Sequence, residues 1–233
     1  MLANHFVLNV IESGYLIPFF LEPTPKTLKN NKSAFEHSEF VVTSIENLVS
    51  IGVVKECTDH IPHVVNPLSV SVNANGKARL ILDLRHVNQF VEKRKFKFES
   101  VPEAIQYINN KGFLFKFDLK SGYHHISIHS PHKKFLGFSW TFEGKVRYYA
   151  FSCLPFGLSV AGHVFSKVLR PLVKYWRSKG FRMIVYLDDG WGFAESFEFC
   201  KFVSNSVKRF DISWIFLLIL RRVFGNLREG LHG

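Results

Sequence analysis

The stretch that decides the fold is MIVYLDDGWGF, residues Met183 to Phe193. It contains two hydrophobic runs joined through Asp188–Asp189–Gly190, which predicts two β-strands connected by a tight hairpin. A turn alone explains an Asp-Gly pair, because these residues tolerate the backbone angles of tight turns. It does not explain Asp188. Two adjacent carboxylates beside apolar strands repel each other and lose hydration, so a bound cation is the alternative to a plain turn.

A third carboxylate ends another predicted strand, FLFKFDL, which begins at Phe113. Strand alternation puts Asp118 on the same face as Lys116. A lone acid at this place is typical of a turn, but three carboxylates at two strand ends offer the oxygen ligands that Mg²⁺ prefers. Two such ions can activate a hydroxyl and stabilise a leaving pyrophosphate. Asp118, Asp188 and Asp189 could therefore share two Mg²⁺ ions, with Mn²⁺ as an alternative, and ordinary turn residues stay the other explanation at this point.

The rest of the chain alternates predicted helices and hairpins. They are a helix that ends at Gly52, a hairpin around Asn73–Gly76, a helix from Pro102 to Gly112, a hairpin at Glu143–Gly144, and a long helix that ends at Gly180 and is kinked at Pro171. This order predicts an α+β fold, an antiparallel sheet with its helices on one face.

Composition favours a polyanionic partner. The 233 residues include 30 lysines and arginines against 19 acids, a formal charge of +11. Such an excess is most often found in proteins that bind nucleic acid, although ribosomal and membrane-surface proteins show it too. Cys57, Cys153 and Cys200 have no paired spacing, so we expect reduced thiols in an intracellular protein, cytoplasmic or nuclear and not secreted. The apolar run Ile212–Leu220 is shorter than the roughly 20 residues that span a bilayer, so no membrane is expected.

Four segments resemble successive motifs of retroelement reverse transcriptases, in the same order. They are RLILDLRHVN, FKFDLKSGYHHISI, YAFSCLPFGLSVAGHVF and VYLDDGWGF. The N-terminal stretches VLNVIESGYLIPF and NNKSAFEHSEFV are similar to the lead-in of DIRS-like, tyrosine-recombinase retrotransposons. The resemblance implies the palm and fingers of a right-hand polymerase, which adds dNTPs to a primer 3′-hydroxyl on an RNA or DNA template.

The resemblance also implies roles for residues around the predicted metal site. Asp118 matches the family's first metal-binding aspartate, and Leu119 would offer its backbone carbonyl. Asp188 and Asp189 match the paired aspartates of the family's hairpin. Tyr123 falls at the bulky position under the incoming sugar, which excludes a 2′-hydroxyl in the family; the alternative is an ordinary core tyrosine.

Four further residues match positions that bind the nucleotide in the family. Phe156 and Gly157 fall where the family lines the nucleotide pocket, and glycine there allows close backbone approach. Lys77 and Arg79 match the basic fingers segment that faces the triphosphate.

The resemblance divides the chain and stops after Phe210. The expected parts are a lead-in and connector (1–33), fingers with the start of the palm (34–112), the palm with its catalytic motifs (113–210) and a tail that does not match the family (211–233). We therefore expect a C-terminally truncated chain without a thumb, which extends primers poorly or not at all and associates with another chain through its apolar tail.

Three functions are consistent with these observations. The first is an RNA-directed DNA polymerase of a retrotransposon, and the second is an inactive nucleic-acid-binding remnant of such an element. The third is an RNA-directed RNA polymerase, which shares the palm architecture. Tyr123 and the pairing of YLDD with LPFG favour deoxynucleotides and therefore the first.

Overall fold

Helices and strands alternate along the chain in a mixed α+β arrangement, as predicted. The computed structural model describes residues 5–99, 102, 105–107, 112–119 and 122–209. The described helices are α1 (His5–Ser13), α2 (Lys32–Glu36), α3 (Ser38–Ser50), α4 (Arg85–Asn88), α5 (Ala161–Ser178) and α6 (Phe197–Arg209). The described strands are β1 (Lys26–Thr27), β2 (Val54–Glu56), β3 (Val64–Asn66), β4 (Leu68–Val72), β5 (Ala78–Leu82), β6 (Phe113–Asp118), β7 (Gly137–Phe142), β8 (Lys145–Phe151), β9 (Arg182–Tyr186) and β10 (Asp189–Ala194). Most of the helix expected after Pro102, and the tail 211–233, lie outside the described residues.

The chain divides into two units that interleave in sequence. The first unit comprises Met1–Ile11, Lys95–His125 and Gly162–Gly233, and the second comprises Glu12–Arg94 and Ile126–Ala161. The first unit contains the antiparallel sheet β6-β10-β9 and the helices α5 and α6.

Aromatic rings set the register of that sheet. Phe117 lies opposite Gly190, and Phe115 lies opposite Gly192. A methyl group added to either glycine would overlap the ring opposite it, so the two glycines of the sequence DGWG leave room for the rings. Opposite residues of an antiparallel pair point to the same face, so the phenylalanines and glycines share one face and the aspartates share the other.

Helices α5 and α6 both pack on the phenylalanine face. Trp176 of α5 contacts Phe117 edge-on at 6.0 Å between ring centres, and Phe197 of α6 contacts Phe113 at 5.7 Å. The prediction of an antiparallel sheet with its helices on one face is therefore confirmed for this unit. The apolar stripe of α5 is buried as well. It consists of Ala161, Phe165, Val168, Leu169, Leu172 and Trp176.

The hairpin between β9 and β10 turns earlier than we predicted. Its two turn residues are Leu187 and Asp188, whereas Asp189 and Gly190 belong to β10 and pair with β9. Leu187 has a φ of 55°, as in the first central residue of a type II′ turn, a position where glycine is usual. The prediction of a turn at Asp188–Asp189–Gly190 was wrong because Gly190 serves the contact with Phe117 and not the turn.

The second unit contains the sheets β1-β3-β7-β8-β2 and β4-β5. The two hairpins predicted around Asn73–Gly76 and at Glu143–Gly144 are confirmed, as β4-β5 and β7-β8. The helix predicted before Gly52 is α3, whose Val41 and Ile45 are buried. The second unit also carries the segments that the resemblance assigns to nucleotide binding.

Helix α5 is the longest described helix and contains Pro171 within its 18 residues. It also carries Lys167, Arg170, Lys174 and Arg177. Within the described part of the chain, no helix has the length and apolar character needed to cross a membrane.

Replacement of Gly190 by alanine tests the ring contact that sets the register. We expect Gly190→Ala to lower the free energy of unfolding by about 1–3 kcal/mol, because the added methyl group overpacks the space under Phe117. Urea unfolding measures the change.

The double variant Gly190→Ala/Phe117→Leu supplies the control. Leucine removes the ring that the methyl group meets, so the double variant should lose less stability than the sum of the two single variants. Additive losses would show that Phe117 and Gly190 do not constrain each other.

Candidate active site

The strand pairing brings the three predicted aspartates to one end of the sheet. Asp118 ends β6 and lies opposite Asp189, which begins β10. Asp188 occupies the turn, and its backbone carbonyl accepts a 2.8 Å hydrogen bond from the N–H of Leu119. Since Asp118 and Asp189 share the face away from α5 and α6, their carboxylates lie at an open surface, and all three aspartates are exposed.

A lysine neutralises part of this acidic group. Carboxylates directly opposite each other on neighbouring strands repel, as Asp118 and Asp189 must. The ammonium of Lys116, on the same face, forms a 2.9 Å ion pair with Asp189. That contact raises the pKa of Lys116, and the charges of Asp118 and Asp188 raise it further. The site therefore has a negative potential that favours cations.

The chemistry of the donor set fits a divalent metal ion. Three carboxylates at adjoining strand ends supply hard oxygen ligands. Within the described residues, however, no three histidine, cysteine, aspartate or glutamate side chains are grouped so as to hold a metal ion. The backbone thus places the aspartates of β6 and β10 together, while one of their side chains is engaged by Lys116.

Tyr123 lies close to the aspartates. It belongs to a 3-10 turn, Gly122–His125, and is half-buried with its ring edge-on to Phe165 at 5.0 Å. Burial raises the pKa of the Tyr123 hydroxyl, and the charge of Asp188 raises it further. The ring is therefore held by packing at a place where the charge of Asp188 in the β9–β10 turn acts on its hydroxyl.

A basic groove with aromatic walls also lies in the first unit. Its lining includes Phe96, Phe98, Arg170, Lys174 and Leu187. The lining also contains an acid, Glu99, whose carboxylate forms a 2.8 Å ion pair with the guanidinium of Arg177. The same carboxylate accepts a hydrogen bond from the N–H of Val185. The cations of α5 thus dominate the charge of this groove, which reaches the turn at Leu187.

The residues predicted to face the triphosphate and to line the nucleotide pocket belong to the second unit. Lys77 follows the turn between β4 and β5, Arg79 lies in β5, and both are exposed. Phe156 is 53% exposed. Gly157 has a φ of 97°, and a methyl group there would come within 3.0 Å of the Leu82 carbonyl oxygen, so the segment needs glycine.

Asn88 holds this glycine segment, a role that the sequence analysis missed. Its amide nitrogen donates a 2.8 Å hydrogen bond to the carbonyl of Gly157, and its amide oxygen accepts one of 2.9 Å from the N–H of Ser159. Asn88 is the final residue of the quoted segment RLILDLRHVN. A polar residue at the end of a short helix was the only available signal.

Comparisons with known proteins show the family of this chain. Residues 70–214, more than half of the chain, match the family described as reverse transcriptase (RNA-dependent DNA polymerase). The chain belongs to the reverse transcriptase family. As a family, reverse transcriptases use divalent metal ions.

Relatives occur in viral and transposon polyproteins. The retrovirus-related Pol polyprotein from transposon gypsy of Drosophila melanogaster is 28% identical over 164 residues, 68% of this chain and 15% of that polyprotein. The genome polyprotein of Petunia vein clearing virus (isolate Shepherd) is 29% identical over 128 residues, 55% of this chain and 6% of that polyprotein. This chain therefore spans only a small part of these relatives.

A solved structure shares the fold. The foamy viral protease-reverse transcriptase, solved in complex with dsDNA, superimposes with a TM-score of 0.60 at 20% identity. The match covers 91% of this chain and 39% of that one.

Variants of Asn88 test how the glycine segment is held. Asn88→Ala removes both hydrogen bonds, so we expect faster hydrogen exchange at the Ser159 amide and a loss of about 1 kcal/mol of stability. Asn88→Asp keeps the acceptor for Ser159 and should preserve its protection. Amide exchange followed by NMR measures both.

Asn75→Ala, in the exposed turn after β4, is the matched control and should leave Ser159 unchanged. Equal exchange in Asn88→Ala and the wild-type chain would contradict the role of Asn88.

Proposed function

We propose that this chain carries the nucleotidyl-transfer site of an RNA-directed DNA polymerase from a retrotransposon. The observation that carries the proposal is the position of Asp118 opposite Asp189, with Asp188 in the adjoining turn at an open surface. Acids are rarely collected at one strand end unless a cation balances them. Membership in the reverse transcriptase family supports the same reaction.

The three aspartates would hold two Mg²⁺ ions, and Mn²⁺ would fit the same oxygen ligands. When bound, such ions lower the pKa of the primer 3′-hydroxyl and stabilise the leaving pyrophosphate. The carboxylates would orient the ions, and Leu119 would offer its backbone carbonyl, which also accepts a 3.1 Å hydrogen bond from the N–H of Gly122. The open surface gives the primer end room to approach Asp118.

The partners we propose are a primed template and dNTPs. The basic groove suits a single strand, because bases stack on rings such as Phe96 and Phe98 while cations such as Arg170 and Lys174 attract phosphates. The net charge of +11 adds attraction that weakens as salt is added. We propose an intracellular site of action, which the free thiols of Cys57, Cys153 and Cys200 accommodate.

Selection of the nucleotide is assigned to the remaining predicted residues. Lys77 and Arg79 would face the triphosphate, and Phe156 with Gly157 would line the nucleotide pocket. Tyr123 would exclude a ribose 2′-hydroxyl by its bulk. In this proposal residues 34–112 form the fingers with the start of the palm, and 113–210 form the rest of the palm.

A DIRS-like origin is a narrower proposal, supported by the similarity of the N-terminal stretches described above. Sequencing of the genomic locus tests it. A neighbouring reading frame for a tyrosine recombinase would support the proposal, and one for an integrase would contradict it.

Single-nucleotide primer extension tests the polymerase proposal. We expect the 233-residue chain to add one templated dNTP to an RNA-templated primer slowly and only with Mg²⁺ or Mn²⁺. Asp188→Asn should lower the rate by a factor on the order of a thousand, with primer–template affinity nearly unchanged, because the acid acts on the transition state more than on binding. Quenched-flow or gel assays at low salt give the rate.

Asp59→Asn removes an exposed acid of the second unit and should leave the rate unchanged. Binding of primer–template without any incorporation above the Asp188→Asn level would favour the inactive remnant instead.

Substitutions of Tyr123 test the choice of sugar. Tyr123→Ala should admit ribonucleotides, because it removes the ring that would clash with a 2′-hydroxyl. Tyr123→Phe keeps the ring and its packing on Phe165, so it should keep discrimination. Competition between dNTPs and rNTPs in the same extension assay measures the ratio. Unchanged discrimination in Tyr123→Ala would assign the ring to the core alone.

A further inference from the structure

Lys116 occupies the position of an internal counter-ion to the aspartates. It precedes Asp118 by two residues in β6, so both side chains project from the same face. Its ammonium nitrogen lies 2.9 Å from a carboxylate oxygen of Asp189, the acid opposite Asp118. The positive charge of Lys116 therefore lies diagonally across the strand pair from Asp189, one of the two aspartates that face each other.

The sequence pattern of the two strands fixes this placement. The register that seats Phe117 on Gly190 also sets Lys116 opposite Trp191. Asp189 precedes Trp191 by two residues in β10, so it lies diagonally across from Lys116 and within reach of its ammonium group. The register therefore places the backbone of Lys116 within reach of Asp189, and the extended side chain completes the contact.

We propose that Lys116 holds the carboxylate of Asp189 when no divalent ion is bound, and that a metal ion must displace its ammonium group to bind. Lys116 is then a positioning residue that sets the metal affinity of the site. The inference rests on the proposed two-metal function and goes beyond it by naming the group with which the metal competes.

The strengths of the two interactions make this exchange feasible. The ion pair is open to solvent, with side-chain exposures of 66% for Lys116 and 51% for Asp189. Exposed pairs change an equilibrium constant by about fivefold or less, so the lysine is displaced readily. A divalent ion at the same distance has twice the Coulomb attraction of an ammonium and also acts on Asp118 and Asp188. The lysine would thus lower metal affinity without preventing binding.

Mn²⁺ binding to the full chain tests the proposal. The free Mn²⁺ signal in electron paramagnetic resonance gives the dissociation constant without any need for activity. Lys116→Met removes the charge and keeps the length of the side chain, so we expect about three- to fivefold tighter binding. Lys116→Arg keeps the charge and should bind Mn²⁺ as the wild-type chain does.

Two controls assign the effect to this site. Lys201→Met removes an equal charge from an exposed position on α6, which packs on the other face of the sheet, and should change affinity by less than about twofold. Asp189→Asn should abolish or strongly weaken Mn²⁺ binding, which identifies the site being measured. Circular dichroism verifies that each variant is folded.

The outcomes separate this inference from the proposed function. Tighter binding in Lys116→Met alone supports the displacement. Equal affinity in Lys116→Met and Lys201→Met, or weaker binding in Lys116→Met, overturns the role of Lys116 while the metal site stands. Mn²⁺ binding that is absent, or that Asp189→Asn leaves unchanged, overturns both proposals.

Thermal unfolding gives a second, independent reading. Bound metal stabilises the folded chain in proportion to the logarithm of its concentration over the dissociation constant. Lys116→Met should therefore gain a larger rise in Tm from a fixed Mn²⁺ concentration than the wild-type chain does. An equal or smaller rise would contradict the displacement.

Discussion

The contact between Phe117 and Gly190 is the constraint on which the first unit depends. Because the side chains of a strand alternate between faces, a slip of one residue would send the aspartates toward the helices and the phenylalanine rings toward solvent. The ring of Phe117 leaves room for no other residue opposite it. Trp176 of α5 packs on the same ring, so the helix, the sheet register and the position of the aspartates are set together.

Strands and helices with regular apolar spacing could be predicted from the sequence. The stripe of α5 and the alternation of β6 are examples, because burial on one face repeats with the period of the element. The turn of the hairpin between β9 and β10 could not be located in this way. Asp-Gly is a strong turn signal, but here Leu187 adopts the positive φ and Gly190 is a strand residue. A glycine has more than one physical use, and the sequence does not say which one applies.

The residues of the candidate site also differ in whether the sequence alone could identify them. Asp118, Asp188 and Asp189 stand out because acids in apolar strands are unusual, and strand pairing does bring the first and last of them opposite each other. Asn88 and Lys116 carry no such signal. Asn88 bonds to a segment 69 residues later, and Lys116 reaches an acid on another strand, so each contact exists only in the folded chain. The metal roles of the aspartates, and the nucleotide roles of the second unit, stay predictions.

The interleaving of the two units has a consequence for the order of events during synthesis. The second unit is complete once residue 161 has left the ribosome, and its hairpins join neighbouring segments. The first unit begins with Met1–Ile11 but needs β9, β10 and α6, which are synthesised after the second unit is complete. Strand β6 emerges with its row of phenylalanines long before its partner β10 exists. Domains usually fold as units from the N-terminus during translation, and exposed apolar strand edges promote aggregation in the interval. We therefore expect β6 to need protection in the nascent chain, for example by chaperones, until β10, the strand that carries Asp189, has been made.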